Sequence, residues 1–158
     1  MRILLAIDGS EPSDAAVCEI ARQRFPIDSE VRVISVVEQA YFPESFSAEA
    51  VNMSVYLDIE KTGRERALAA VEKAAARLRT NEESRQLKVT SEVLSGSPKR
   101  MILEEAEAFG ADLIVVGSHG HGMLDRFLLG SVSQAVALHA SCSVEIVRSP
   151  KAPTSESR

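Results

Sequence analysis

The segment Leu113-Ile114-Val115-Val116-Gly117-Ser118-His119-Gly120 decides the fold of this chain, because an apolar run rich in β-branched residues stops at a glycine. Such a run predicts a buried strand followed by a tight loop. Four other runs also predict strands. The last of them carries Glu145, so we expect it at an edge of the sheet, where burial is less complete. The four runs are residues 3–7, 31–37, 87–94 in a weaker alternating form, and 144–147.

Amphipathic helical patterns separate these strands. Each pattern repeats apolar residues every three or four positions, which places them on one face of a helix. Pro12 is a favoured first-turn residue for the first helix, and the second and longest helix begins near Tyr56. Ser97-Pro98 supplies a cap and a first turn for the third helix, and Gly110 is placed to end it. The apolar stripes are Ala16, Val17, Ile20 and Ala21; Ala67, Leu68, Val71, Ala75 and Leu78; Ile102, Leu103 and Ala106; and, in a last helix over residues 131–140, Val132, Ala135, Val136 and Leu138.

This alternation of strands and helices predicts an α/β fold. Parallel strands joined by right-handed helical crossovers form a doubly wound sheet with helices on both faces, a Rossmann-like or flavodoxin-like three-layer sandwich. Five such strands most often take the order 3-2-1-4-5. The chain then reverses direction between strands one and four. The crevice at the carboxyl ends of these two strands should lie beside Asp8 and Gly117.

Length and composition limit the classes of function. The 158 residues, 45% hydrophobic and 26% charged, fit one globular domain, which we place at residues 1–148. The formal net charge of −5 argues against nucleic acid as a partner, because binding a phosphate backbone needs a basic face. The first apolar run stops at Asp8 and is too short for a signal sequence or a membrane span, so we expect no association with a membrane.

The remaining segments carry less information. Cys18 and Cys142 are too few for a disulfide scaffold and lack CxxC spacing, so a reduced cytoplasm fits best. Residues 149–158 have no apolar face and are expected to form a disordered tail. Residues 39–55 break the helical periodicity. Their aromatic side chains belong either to a mobile flap or to a loop packed on the core, and we prefer the packed loop.

A set of glycines follows the strand that ends at Val116. Gly117, Gly120 and Gly130-Ser131 have the form Gly-x2-Gly-x9-Gly-Ser. Glycines just past a strand let the backbone turn and approach a ligand closely. Hydroxyls at the start of a helix add donors where unpaired amides and the helix dipole already favour an anion. The pattern suits a polyphosphate, with glycines that merely shape a tight loop as the alternative.

Two better-known glycine motifs do not fit this segment. A P-loop requires Lys-Ser or Lys-Thr after its second glycine, but Met123-Leu124 follows Gly122. The dinucleotide fingerprint GxGxxG would need its third glycine at Asp125, and it belongs after the first strand of a sheet instead of the fourth.

The glycine spacing and the sequence Ile7-Asp8-Gly9-Ser10 at the end of the first strand resemble the ATP-binding branch of the universal stress protein family. The resemblance covers residues 1–148. Its most specific part is the run Arg126-Phe127-Leu128-Leu129-Gly130-Ser131-Val132-Ser133, in which length, glycine and hydroxyls all agree. Two departures lie near the last strand, where Ser143 replaces a usual proline and Glu145 interrupts an apolar run.

The resemblance implies a site for ATP with Mg²⁺ in the crevice. Asp8 would lie near the ribose and the phosphates and would serve as a Mg²⁺ ligand, although a turn or helix-cap role is its alternative. The backbone of Val36 would contact the adenine edge, Val116 would pack near the base, and Ser118 would contact the ribose. Phosphate contacts would fall to Gly117, Gly120, Gly130, Ser131 and Ser133, with Val132 contributing its backbone.

Other site chemistry has less support in the sequence. His119 and His121 lie near Asp125, but no third metal ligand has convincing spacing, so we expect no metal at the histidines. His119 could still touch a phosphate. Ser10 stands where a haloacid-dehalogenase-like site would need a second aspartate. Because no Ser-His-Asp grouping or Gly-x-Ser-x-Gly motif is visible, we assign no catalytic residue.

The resemblance therefore implies a cytoplasmic regulator that binds ATP during a stress response, with weak ATP hydrolysis at most. One alternative is an enzyme that hydrolyses ATP slowly or transfers phosphate to Ser131 or Ser133. The other is a dimeric interaction scaffold with an unused pocket. Dimers of this family commonly form through the last strand, and an open edge from Val144 to Arg148 suits such pairing, so we expect a homodimer.

Overall fold

The structure, a computed structural model, describes residues 1–38, 53–120 and 129–149. Within these ranges five strands alternate with four helices. Every predicted strand is present, and each of its ends lies within one residue of the predicted end. The elements are β1 (Arg2–Ala6), α1 (Glu11–Arg22), β2 (Glu30–Val37), α2 (Met53–Thr80), β3 (Lys88–Ser95), α3 (Pro98–Phe109), β4 (Leu113–Gly117), α4 (Ser131–His139) and β5 (Ser143–Val147).

The five strands form one parallel sheet in the order β3-β2-β1-β4-β5. This confirms the predicted α/β fold, its strand order and the edge position of β5. The pairing of β1 with β4 places Ala6 opposite Val116, so both strands end at the same level. The two chain segments that follow them, at Asp8 and Gly117, therefore leave the sheet side by side, as the crevice prediction requires.

Side chains that alternate along the strands divide the core between the two faces of the sheet. In β1, Ile3 and Leu5 pack in the core beneath α1 and α2, whereas Leu4 and Ala6 pack in the core beneath α3 and α4. Because helices cover both faces, residues 3–6 of β1 and 113–116 of β4 are continuously apolar instead of alternating with polar residues. The second of these cores, under α3 and α4, reaches the carboxyl end of the sheet.

Helix α2 begins at Met53, about one turn before the predicted start near Tyr56. The apolar pattern missed this turn because Val55 and the following Leu57 do not face the core. Val55 is 50% exposed and Leu57 is 54% exposed, so no stripe marks the beginning of the helix. The predicted irregular segment 39–55 is thus helical from Met53 onward, and its residues 39–52 lie outside the described ranges.

The predicted end residues of α1 and α3 are confirmed. Pro12 lies in the first turn of α1, Ser97 is the N-cap of α3, and Gly110 ends α3 in the left-handed region with φ 65°. The Ser10 hydroxyl caps α1 by accepting from the Ser13 amide at 3.4 Å, whereas the Ser97 hydroxyl makes no cap hydrogen bond. Pro98 at the first turn already lacks an amide donor, so fewer donors need a partner. The Ser97 carbonyl accepts from the Met101 amide at 2.9 Å.

Two further features bear on the sequence predictions. In the part of the chain that the structure describes, no helix combines the length and apolar character that crossing a bilayer requires. Cys18 and Cys142 are both free thiols. The predicted disordered tail falls outside the described ranges except for Ser149.

Candidate functional site

A cleft of about 320 Å³ opens at the carboxyl ends of β1, β2 and β4, where the starts of α3 and α4 close its sides. This volume is within the range of small-molecule sites, and the position is the one that doubly wound sheets use for ligands. The cleft contains nine of the ten residues that the sequence suggested for a ligand site. They are Asp8, Val36, Val116, Gly117, Gly120, Gly130, Ser131, Val132 and Ser133.

One part of the cleft is an apolar slot. Ile34 and Val36 from β2 and Val116 from β4 form its floor, and Ile102 from α3 and Val132 from α4 complete it. These side chains continue the core beneath α3 and α4 up to the surface. A slot of this kind can accept a flat, largely apolar ring, because burying apolar area stabilises the complex by about 25 cal/mol per Å².

Asp8 lies just past the end of β1, and Ser10 holds its carboxylate in place. The Ser10 amide donates to Asp8 Oδ1 at 3.0 Å, and the Ser10 hydroxyl donates to the same oxygen at 2.5 Å. Because Ser10 is also the N-cap of α1, the helix fixes the position of the carboxylate. Asp8 therefore lines the cleft as a pre-positioned anion instead of a freely rotating surface side chain.

Two glycines allow the chain to pass very close to its neighbours. A Cβ atom on Gly117 would lie 2.8 Å from backbone atoms of Pro12 and Ser13 at the start of α1. A Cβ atom on Gly120 would lie 2.6 Å from Asp8 Oδ2. Both distances are too short for a real carbon contact, so only glycine fits these positions unless something moves. The glycines therefore keep the loop after β4 narrow and leave backbone at the cleft wall.

The start of α4 is tied to the end of β4 by hydrogen bonds that converge on Ser118. The Gly130 amide donates to the Ser118 carbonyl at 2.8 Å, and Ser133 Oγ lies 3.0 Å from the same carbonyl and 2.9 Å from the Gly130 carbonyl. The Ser118 amide donates to the Val147 carbonyl of β5 at 2.7 Å. These bonds hold the first turn of α4, whose leading amides have no acceptor within the helix, at the mouth of the cleft.

Ser118 differs from the other predicted residues because it does not line the cleft. It is 2% exposed, and its hydroxyl lies 2.8 Å from Nδ1 of His119. His119 does line the cleft, and its other ring nitrogen, Nε2, is buried without a hydrogen-bond partner.

Six further lining residues were not among the predicted site residues. Four are apolar strand or helix residues, which the sequence marks only as core. Pro98 carries a signal that could have been used, because a helix start following β3 must lie at the same edge of the sheet. The six are Ala6, Ile7, Ser13, Ile34, Pro98 and Ile102.

The described residues contain no cluster of three or more His, Cys, Asp or Glu side chains that could hold a metal ion by themselves. Asp8 is the acidic side chain that lines the cleft. A cation there would need most of its ligands from a bound molecule or from water, which is how Mg²⁺ commonly binds beside phosphates. His121, Asp125 and Arg126 lie outside the described ranges.

Comparisons with known proteins give one consistent result. The family model for the universal stress protein family matches residues 1–148. A universal stress protein of Methanocaldococcus jannaschii is 35% identical over 153 residues, which cover 95% of this chain and 83% of the relative.

Two solved structures share the fold. A universal stress protein in complex with cAMP matches with a TM-score of 0.63 and 24% identity over 95% of this chain and 98% of its own. A universal stress protein family protein from Arabidopsis thaliana with AMP bound matches with a TM-score of 0.64 and 17% identity over 98% and 97% of the two chains. At these identities the likeness is one of fold.

Proposed function

The chain belongs to the universal stress protein family, and from this premise we propose that it binds an adenine nucleotide, ATP with Mg²⁺, in the cleft and acts as a nucleotide-dependent regulator of a stress response. The observation that supports the proposal is that the cleft has two parts of different chemistry. An apolar slot adjoins an end lined by glycines and by the start of α4, where an anion is favoured. A nucleotide has the same division between base and phosphates.

The division assigns a part of the ligand to each group of residues. The base occupies the slot between Val36 and Val116. The phosphates lie at the start of α4, where Ser131, Val132 and Ser133 supply backbone amides and the exposed residue Ser131 adds its hydroxyl. The Gly130 amide is already bonded to the Ser118 carbonyl, so Gly130 contributes close backbone approach and not a donor. Gly117 and Gly120 allow the close backbone approach. Ser118 supports this end from behind the cleft wall in place of the ribose contact that the family resemblance implies.

Two relatives support adenine as the base. One protein of this fold was solved with cAMP and another with AMP. These ligands share adenine and ribose and differ in their phosphates, so we propose an adenine nucleotide as the ligand class and ATP as its main member. The Mg²⁺ ion would be held by the phosphates, with Asp8 as its protein ligand. The pre-positioned carboxylate and the closely packed Gly120 fit such a group.

Regulation follows from linkage between ligand and conformation. A nucleotide that binds one arrangement of the chain more tightly shifts the population toward that arrangement. We propose that β5 transmits the shift to a second copy of the chain, because the Ser118 amide, at the base of the phosphate end, is bonded to Val147 of this edge strand. The resulting homodimer pairs through residues 144–148. The free thiols of Cys18 and Cys142 fit the reducing cytoplasm that we propose as its location.

The geometry weighs against phosphoryl transfer to Ser133 as the main activity. Ser133 is 3% exposed, and its hydroxyl is already engaged with the Ser118 and Gly130 carbonyls. An acceptor hydroxyl must be within reach of a phosphate and able to lose its proton. Ser131 is exposed and lines the cleft, so it is the acceptor that the alternative of phosphoryl transfer retains. We propose binding as the main function of the site.

The test is calorimetric titration of nucleotide-free protein with Mg-ATP and, separately, with Mg-GTP. We expect saturable binding of Mg-ATP and weaker binding of Mg-GTP. Val36→Glu, which places a charge in the slot, should abolish the binding, while Ile27→Glu makes the same kind of change at a site that is 83% exposed and outside the cleft lining and should leave it unchanged. Circular dichroism checks that both variants are folded. If neither Mg-ATP nor Mg-GTP gives a heat of binding with wild-type protein, the proposal is overturned.

A further inference from the structure

His119 sits at the phosphate end of the cleft. Its main chain lies between the end of β1 and the start of α4, because the Ser10 hydroxyl is 3.5 Å from the His119 carbonyl and a Cβ atom on Gly130 would be 3.2 Å from His119 Cα. Both neighbours belong to the segments that form the polar end of the site. The main chain of His119 therefore lies at the end of the cleft where phosphates are proposed.

Nε2 of His119 is a buried polar atom without a hydrogen-bond partner in the described structure. Buried polar side-chain atoms are nearly always paired, so an exception needs an explanation. The residue lines the cleft, and a ligand bound in the cleft is a partner that the protein alone does not contain.

Ser118 contacts the other ring nitrogen, and its hydroxyl can either donate to that nitrogen or accept from it. Its hydroxyl lies 2.8 Å from His119 Nδ1. A hydroxyl that donates its proton to Nδ1 leaves the neutral ring protonated at Nε2, so Nε2 becomes a donor. A donor at this position matches a phosphate oxygen, which only accepts. This also gives a reason for the buried position of Ser118 behind the cleft wall.

We propose that His119 is a phosphate-binding residue, with Nε2–H donating to a phosphate oxygen of the bound nucleotide and Ser118 holding the ring in the required tautomer. The proposal rests on the proposed nucleotide site and adds a side-chain contact to its backbone contacts. A hydrogen bond to a charged acceptor is stronger than one between neutral groups, so losing it should weaken binding by about 10- to 100-fold.

The test measures the affinity for Mg-ATP of wild-type protein and three variants by calorimetry. His119→Ala removes the donor and should lose about 10- to 100-fold in affinity. His119→Gln keeps an N–H donor at a similar reach and should recover most of the affinity, which a merely structural role of the ring would not predict. His139→Ala is the matched control, because His139 is exposed in the last turn of α4, about 12 Å along the helix from its start, and should bind like wild type.

The outcomes separate this proposal from the proposed function. Wild-type binding with an unaffected His119→Ala variant would overturn the role of His119 and leave the nucleotide site standing. Lack of Mg-ATP binding by the wild type would overturn both. A nitrogen–proton correlation spectrum of the Mg-ATP complex adds a direct readout, because it distinguishes the tautomers. A proton on Nε2 supports the proposal, and a neutral ring protonated on Nδ1 contradicts it.

Discussion

Replacing Gly120 by alanine should weaken nucleotide binding at least tenfold while leaving the fold intact. The new Cβ atom would lie 2.6 Å from Asp8 Oδ2. A relaxed contact needs about 3.5 Å, so the carboxylate must retreat by about 1 Å. Moving it strains the two bonds from Ser10 to Oδ1, and intact bonds to a charged group are worth about 1.5–3 kcal/mol each in net stability. The carboxylate can rotate while it keeps part of these bonds, so the fold tolerates the move, but Asp8 is then displaced from its place in the cleft.

Gly117→Ala is the matched comparison, because the same methyl group meets atoms that cannot move. Its Cβ would lie 2.8 Å from the backbone of Pro12 and Ser13 in the first turn of α1. Overpacking against backbone typically costs about 1–3 kcal/mol. Alanine restricts the unfolded chain by a similar amount in both variants, so the difference between them reports on the folded state. We expect Gly117→Ala to be the less stable of the two by about 1–3 kcal/mol.

Urea unfolding and calorimetry measure the two effects. With a slope near 2 kcal/mol per M, the midpoint of Gly117→Ala should fall about 1 M below that of Gly120→Ala. Gly120→Ala should have a near-wild-type midpoint. Its affinity for Mg-ATP should fall at least tenfold, which is a loss of about 1.4 kcal/mol of binding free energy, because Asp8 no longer lies at its place in the cleft. The reasoning is refuted if Gly120→Ala binds Mg-ATP like wild type, or if it unfolds as early as Gly117→Ala.

Three further predictions concern stability and reactivity away from the cleft. Gly110→Ala forces a Cβ into the left-handed region at φ 65° and should lower the free energy of unfolding by about 1–2 kcal/mol in urea titrations, without changing nucleotide affinity. Arg32→Ala removes the ion pair with partly buried Glu105 and should cost about 1–3 kcal/mol, and a double-mutant cycle with Glu105→Ala should show that the two losses are not additive. Burial raises the pKa of the Cys142 thiol, so less of it is thiolate at pH 8 than in an exposed cysteine. In a Cys18→Ala variant, Cys142 should therefore react with a thiol reagent more slowly than a cysteine peptide does. An equal rate would contradict the burial.

The fold was predictable because its signals are local. Apolar runs such as residues 3–7 and 113–116 end within one residue of the observed strands, since burial on both faces of a parallel sheet leaves no place for a polar residue. Gly110 marked a helix end because only glycine enters the left-handed region without strain. The start of α2 was missed because Val55 and Leu57 are exposed, so no stripe of buried apolar residues marks the first turn in the sequence.

The site was predictable where backbone geometry restricts the residue type. Backbone atoms of α1 leave no room for a Cβ atom at Gly117, and Asp8 in its present position leaves none at Gly120, so the spacing of the two glycines reflects the arrangement of the loop. Ser118 and His119 could not be told apart in this way. Both are polar residues on one loop, and only the structure shows that Ser118 is behind the cleft wall while His119 lines it. Apolar lining residues such as Ile102 also look like ordinary core in the sequence.

The most direct test of the account is to follow the backbone amide signals of the protein during a titration with Mg-ATP. The account predicts that the largest shifts fall on Gly120 and on residues 130–133 at the start of α4, with smaller shifts at Val36 and Val116 beside the apolar slot. Saturable binding whose largest shifts lie elsewhere, for example on the outer face of α2, would contradict the claim that this cleft is the nucleotide site.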